Sequence, residues 1–315
     1  MESFKLPLTV YAPASMGNVG VGFDLLGAAL APISGELLGD KVTIAFAEQG
    51  IEFEQTGPWA HKLPVNADDN IVPQCGVFFL QKLGLTHGVK LTLEKNLPVG
   101  SGLGSSASSV VAALYALNAF FDSPYEPQAL LALMGEFEGQ ISGSVHYDNV
   151  APSYLGGMQL MLDTPETVCD AIPHFKEWYW VVSYPGISLS TAQMRQLLPE
   201  QYDKAVAIDF GRRLSAFVHA SHSNNPSLAI EVLDDVLAEP YRAQAIPGFV
   251  QASAALAQMG MLTSGISGSG PTLFTITDSL AKAQQAQQWL SEHYANQDGA
   301  FTHICQIDAL GTREV

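Results

Sequence analysis

Basic residues are scarce in this chain of 315: 14 lysines and arginines stand against 31 aspartates and glutamates, a formal net charge of −17. A molecule-wide field of that sign repels nucleic acid and anionic membrane surfaces, so neither is an expected partner. Any anionic ligand has to be held by local groups. Cysteine is also rare. Cys75, Cys169 and Cys305 lie far apart and form no CxxC pair, which signals neither a disulfide framework nor a zinc site. Long apolar runs are missing too, and none approaches the ~20 residues that span a bilayer. Ala12, Pro13 and Ala14 imitate a signal-cleavage site, but Glu2, Lys5 and Pro7 break the apolar stretch that would precede it, so a cytoplasmic location is expected.

The residues present in quantity describe a compact folded chain. Hydrophobic residues make up 47% and charged residues 14%, which argues against extensive disorder. The length exceeds what one core usually serves, so two domains are expected, with a boundary in the loop at 163–173. Residues 8–12 read as a strand, followed by a polar, glycine-bearing stretch and a second apolar run at 25–30. Val42, Ile44 and Phe46 share one face of a strand at 41–46, and Val72, Cys75, Phe79 and Leu83 share one face of a helix at 71–83. Val89, Leu91 and Leu93 alternate as in a half-buried strand, and Val110, Leu114, Leu117 and Phe121 mark a helix after it. A further helix covers 127–140, and 143–157 reads as turns. The second half shows a strand at 178–182, helices at 209–222, 227–237 and 247–259, then a glycine-rich segment leading into a strand at 272–276. Mixed strands and helices in both halves predict an α+β or α/β layering.

The segment between the strand and helix is the most informative. It runs Pro98, Val99, Gly100, Ser101, Gly102, Leu103, Gly104, Ser105, Ser106, Ala107. Anion binding at a helix N-terminus needs free main-chain amides, a favourable dipole and residues small enough for phosphate to approach, and this loop supplies all of them. It carries no lysine, and the P-loop sequence GxxxxGK[ST] occurs nowhere, which argues against a P-loop NTPase. The dinucleotide fingerprint GxGxxG fails as well, because the third glycine arrives one residue early and Ser105 stands in its place.

The loop resembles the phosphate-binding motif of the GHMP kinases. Two further motifs agree: Ala12 to Asp24 near the start, and Gly265, Ile266, Ser267, Gly268, Ser269, Gly270, Pro271 and Thr272 near the end. Within that superfamily the chain is similar to homoserine kinases, notably at 21–27, 143–152 and 238–242. The resemblance implies an α+β, two-domain fold, with an N-terminal lobe like the second domain of ribosomal protein S5 (1–165) that binds ATP and a ferredoxin-like C-terminal lobe (166–315). It also implies a left-handed βαβ crossover, which handedness rules alone would have predicted wrongly.

The implied chemistry is phosphoryl transfer from ATP to the side-chain hydroxyl of L-homoserine, as a step toward threonine, in a cytoplasmic homodimer. The resemblance assigns ATP to 98–107 with Ser108, and to Asn70 near the adenine, and Mg²⁺ to Ser106 and Glu138. It assigns the acceptor to Asn18, Asp24, His146, Asn149, Thr191, Arg195 and Arg242: guanidiniums for the carboxylate, Asp24 for the ammonium. Asp148 matches the position of a catalytic aspartate in mevalonate kinases, but the expectation is that Asn149 orients the hydroxyl while Asp148 is mainly structural. Arg212 and Arg213 read as surface residues of a helix. His219 and His222 have metal-like spacing but no third ligand nearby, so they read as ordinary helix histidines.

Overall fold

The computed structural model describes residues 6–142, 145–162, 164 and 166–315. Gly143 and Ser144, which open the 143–152 motif, and Asp163, which opens the 163–173 loop, lie outside the described residues. The first half contains β1 (Leu8–Pro13), β2 (Ser15–Gly17), β3 (Leu26–Pro32), β4 (Gly39–Ala47), β5 (Ile51–Thr56), α1 (Ile71–Leu83), β6 (Gly88–Glu94), α2 (Ser105–Phe120), α3 (Pro127–Ser142), α4 (Val150–Leu155) and β7 (Met158–Met161). Next come β8 (Cys169–Ile172), β9 (Tyr179–Tyr184), α5 (Thr191–Gln196), α6 (Lys204–His222), α7 (Pro226–Val232), α8 (Glu239–Arg242) and α9 (Phe249–Gln258). The chain ends with β10 (Thr263–Ile266), β11 (Leu273–Thr277), α10 (Leu280–His293), β12 (Phe301–Ile307) and β13 (Arg313–Glu314). Among the described residues, no helix is long and apolar enough to cross a membrane.

One sheet has five strands in the order β13-β1-β4-β6-β5, parallel only between β5 and β6. Its buried face offers Val42, Ile44, Leu91 and Leu93 to Val72 and Phe79 of α1 and to Val110, Leu114 and Leu117 of α2, all fully enclosed. α2 is apolar or small on nearly every side, as a helix in the middle of a core must be. Phe46 departs from the sequence expectation. It keeps its register opposite buried Val89, but it stands near the end of β4 and is 43% exposed.

The second sheet runs β10-β11-β9-β12-β3-β7-β8, with β2 added on β3. It draws β3 and β7 from before residue 165 and the other strands of that path from after it, joined where Cys305, Gln306 and Ile307 of β12 pair with Pro32, Ala31 and Leu30 of β3. Trp178, Trp180, Phe217 and Phe274 fill the core on one side. Phe249, Leu256 and Leu290 of α9 and α10 fill a core on another. The stretch at 143–157, read as turns, contains α4, and the loop at 163–173 contains β8. Six and four residues are too few for a period to register against turn-forming neighbours.

Two paired glycines tie this sheet to the entry of α4. Gly17 of β2 lies opposite Gly27 of β3. A methyl group on Gly17 would stand 2.2 Å from Asp148 Oδ2, and one on Gly27 would stand 1.8 Å from the Asp148 carbonyl oxygen. Their missing side chains form the groove into which residues 148 and 149 dock. Gly27→Ala should therefore cost roughly 2 kcal/mol or more through overpacking against main chain. A denaturant midpoint equal to that of the wild type would show that this contact is not tight.

Candidate active site

A cavity of about 570 Å³ opens between the glycine loop, the turn at 18–24, the start of α4 and the segments at 188–195 and 268–269. The loop's conformation depends on glycine. Gly100, Gly102 and Gly104 have φ of 68°, 81° and 63°, where a side chain is disfavoured. Each is also a point of contact. A Cβ on Gly100 would strike Ser188 Oγ at 2.3 Å, on Gly102 the Ser267 carbonyl at 2.5 Å, and on Gly104 Ser15 Oγ at 2.0 Å.

The loop's carbonyls are tied to those same neighbours. The Ser188 hydroxyl donates to Val99 O (2.7 Å), the Leu189 amide to Gly100 O (3.0 Å), and the Thr272 hydroxyl and amide to Ser101 O (2.7 and 3.1 Å). Ser267 Oγ donates to Gly102 O (2.6 Å) and the Ser15 amide to Leu103 O (3.2 Å). Among the described residues, the amides of Gly100, Gly102, Gly104, Ser105, Ser106 and Ala107 donate to no protein acceptor. A cluster of unbonded amides at the N-terminus of a helix beside a cavity is an anion site.

Beneath the loop lies a buried network that sequence reading did not single out. Lys95 and Asp40 are 2% and 0% exposed and form an ion pair. Lys95 Nζ also donates to Ser105 O (2.8 Å) and Ser109 Oγ (2.9 Å), while Asp40 Oδ1 accepts the amides of Asn96 (2.8 Å) and Leu97 (2.9 Å). The pair thus fastens the entry of the loop and the first turn of α2 to one another. No motif announces it, because it arises from the β4–β6 register, in which Lys41 pairs with Glu94 and the next residues outward are Asp40 and Lys95.

At the other end of the cavity Arg195, on α5, grips Asp24 through Nη1–Oδ2 (3.1 Å), Nη2–Oδ1 (2.8 Å) and Nη2–Oδ2 (3.0 Å). His146 Nδ1 stands 3.8 Å from the same carboxylate. Arg242 on α8 is 3% exposed; its Nε donates to Met194 O (3.2 Å) and its Nη1 to Gly268 O (3.1 Å). The turn that presents Asp24 is strained: Asn18, Val19 and Asp24 have φ of 69°, 47° and 57°, and β-branched Val19 is the least tolerant of the three. Asn18 holds the turn together, accepting the Asp24 amide and donating to Gly268 O, both at 3.0 Å. Asn149, entering α4, accepts from Ser15 Oγ (3.0 Å) and donates to Asp148 Oδ2 (3.3 Å), and Thr191 Oγ1 meets Ser269 Oγ at 3.2 Å.

Residues 70–157 match the GHMP kinases N terminal domain, and residues 213–296 match the GHMP kinases C terminal domain. The homoserine kinase from Cytophaga hutchinsonii is 31% identical to this chain, covering 100% of it and 99% of that protein, with a TM-score of 0.90. The chain belongs to the GHMP kinase family. The fold is shared more widely. The L. major mevalonate kinase in complex with R-mevalonate is 17% identical over 97% of both chains, TM-score 0.68. Streptococcus pneumoniae phosphomevalonate kinase is 13% identical over 97% of this chain and 100% of that one, TM-score 0.68. This is a small-molecule kinase of two-domain α+β architecture.

The GHMP kinase cavity brings together most of the residues singled out from sequence: Asn18, Asp24, Asn70, Glu138, His146, Asp148, Asn149, Thr191, Arg195 and Arg242 all line it with the glycine loop. Three loop positions do not. Pro98 is buried, Leu103 lies in the core, and the Ser108 hydroxyl points away, donating to Ala12 O (2.8 Å) and accepting the Asp40 amide (3.0 Å). Two residues past the cavity-lining Ser106, Ser108 falls on the opposite side of α2, toward β1 and β4. The side chain of Asn70 is engaged at both ends, capping α1 through the Val72 amide (3.0 Å) and donating to Gln55 Oε1 (3.0 Å). Arg212 and Arg213 pair with Asp209 on the surface of α6, and among the described residues no group of three or more His, Cys, Asp or Glu could hold a metal.

Two carboxyls in this site have raised pKa values. Burial lifts Glu138, opposed by the Ser106 hydroxyl, which donates to its Oε2 at 3.0 Å, and by Lys95. Burial, then the charge of Asp24, lift Asp148 to about 7, opposed by Arg195.

Both sets of buried groups can be tested by substitution. Lys95→Met should cost about 3–5 kcal/mol by leaving Asp40 charged and unpaired, and adding Asp40→Asn should recover much of it. A single variant as stable as the wild type in chemical denaturation would show that the network does not hold the loop. For Asp148, the folded pKa is above the unfolded one, so the stability it contributes is present below its ordinary value and lost as pH rises toward 7. Asp148→Asn should thus gain roughly 2–4 kcal/mol relative to the wild type between about pH 4 and pH 7. Melting curves that differ by the same amount at about pH 4 and pH 8 would contradict the raised pKa.

Proposed function

We propose that this kinase transfers the γ-phosphoryl group of ATP to the side-chain hydroxyl of L-homoserine, giving O-phospho-L-homoserine and ADP for threonine biosynthesis. The observation that carries the reading is the polarity of the cavity. The unbonded amides of Gly100, Gly102 and Gly104 to Ala107 occupy one end, and a carboxylate with two guanidiniums occupies the other. A neutral alcohol has no use for the second end. A zwitterion fits it, because its carboxylate can take over Arg195 while its ammonium takes over Asp24, exchanging one ion pair for two. The similarity to the Cytophaga homoserine kinase supports the same substrate.

In this reading the loop amides and the dipole of α2 hold the phosphates, and Asn149, fixed by Ser15 and Asp148, orients the acceptor hydroxyl toward them. The acceptor oxygen forms a bond to the γ-phosphorus as the bond to the β,γ-bridging oxygen breaks. The hydroxyl proton passes to the transferred phosphate, with Asp148 keeping its structural place. Ser106 and Glu138 form an all-oxygen donor set in hydrogen-bond contact at the cavity wall, which suits Mg²⁺. Bound there, Mg²⁺ would offset charge on the triphosphate.

Coupled detection of ADP release tests this. L-Homoserine should accelerate it far above the rate without acceptor, while neutral sugar and isoprenoid alcohols should not. Arg195→Ala should raise KM for L-homoserine roughly 10–100-fold, the worth of a charged hydrogen-bonded pair. If a neutral alcohol were the better acceptor and KM were indifferent to Arg195→Ala, the enzyme would be a sugar or isoprenoid alcohol kinase instead.

A further inference from the structure

The motif at 21–27 supplies Asp24 to the cavity, yet its aromatic residue touches neither the phosphate end nor the acceptor space. Phe23 is half-buried and is not among the residues that line the cavity. Its ring centroid lies 5.7 Å from the guanidinium carbon of Arg195 and 5.5 Å from that of Arg242. Both cations therefore share one aromatic ring.

That sharing answers a physical problem. Two guanidiniums brought to one small subsite repel each other, and Arg242 is nearly inaccessible to water. Burial, and then the like charge of Arg195, act to lower its pKa, while Asp235 and Asp24 act the other way. Arg242 directs its hydrogen bonds to two main-chain carbonyls, which carry no full charge. Arg195, by contrast, is committed to Asp24 on three contacts. The negative face of an aromatic ring attracts a guanidinium without occupying its N–H groups, and it gives a planar cation a surface to lie against. A side chain of similar volume but no π-system would fill the space and do neither.

We propose that Phe23 is a positioning residue for the acceptor: its ring holds Arg195 and Arg242 at the spacing from which both can address one carboxylate. The proposal rests on those arginines binding the carboxylate of L-homoserine. Because Phe23 and Asp24 are adjacent in the strained turn, one dipeptide supplies both the ring against the two cations and the carboxylate that pairs with Arg195. The phosphate end of the cavity is built from other segments, so the effect of Phe23 should be confined to the acceptor.

The test compares Phe23→Leu with Phe23→Tyr in the full-length enzyme, using ATP and L-homoserine. Phe23→Leu should raise KM for L-homoserine about 5–20-fold, in line with losing one or two cation–π contacts, with kcat and KM for ATP within about twofold. Phe23→Tyr, which keeps the ring, should return all three constants close to those of the wild type. An unchanged acceptor KM in Phe23→Leu overturns the proposal. So does a parallel loss in both variants that extends to ATP and to melting temperature, since that is the signature of packing alone. A wild-type enzyme that fails to use L-homoserine sinks the substrate reading, and the role of Phe23 is then decided without any acceptor. The Nε–Hε NMR signals of Arg195 and Arg242 should carry ring-current displacements in the wild type and Phe23→Tyr that vanish in Phe23→Leu. Signals that stay in place in Phe23→Leu overturn the proposal on their own.

Discussion

Main-chain amides at a helix N-terminus remain available to a ligand only when the surrounding chain has no acceptor to offer them, and in this protein that condition is met by tying up the loop's carbonyls. Val99, Gly100, Ser101, Gly102 and Leu103 each lend an oxygen to a donor from another segment, and Ser105 lends its own to Lys95. The amides are thereby turned outward as a group. Glycine at 100, 102 and 104 permits the left-handed turns, and it also lets Ser188, Ser267 and Ser15 come close enough to make those bonds. The anion site is a consequence of how distant stretches of sequence meet, more than of the loop by itself.

The buried pair of Asp40 and Lys95 belongs to the same constraint. An isolated ion pair in a core is weak evidence for stability, because desolvation offsets much of the Coulombic gain. This one is different in what its spare valences do. Asp40 receives two amides at the mouth of the loop, and Lys95 donates to the carbonyl of the first helical turn. Its role is geometric: it fixes where β6 stops and where α2 begins, and so where the unbonded amides point.

Much of this was legible in the sequence, for identifiable reasons. Val110, Leu114 and Leu117 repeat at helical spacing, and Val89, Leu91 and Leu93 alternate, so α2 and β6 were expected and are found, with the glycine loop between them. The three motifs near 12–24, 98–107 and 265–272 could be recognised from residue types, and the structure joins them through Ser15, Asn18, Ser267, Gly268 and Thr272. What escaped depends on register or on tertiary position. Lys95 reads as one more polar residue at a strand end until β4 is set beside β6. Ser108 reads as part of a serine run until the helix carries it round to Ala12 and Asp40. Phe46 obeys the alternation and is still exposed, because alternation states which face a side chain occupies and says nothing of what covers it. Phe23 is an apolar residue beside a turn, and only the approach of α5 and α8 gives its ring two cations.

Charge then explains why the cavity has two unlike ends. Its lining lysine and arginines are Lys95, Arg195 and Arg242, and its carboxylates are Asp24, Asp69, Glu138 and Asp148. Lys95 is neutralised by Asp40 and Arg195 by Asp24, while Arg242 donates to the Gly268 carbonyl. The glycine loop itself carries no lysine or arginine between Pro98 and Ala107. A triphosphate brought there must therefore be met by dipoles, and by a divalent cation if Ser106 and Glu138 hold one. An acidic protein of net charge −17 gains from this division. Dipoles of main-chain amides add no net charge, and they hold their orientation because the carbonyls behind them are already bonded.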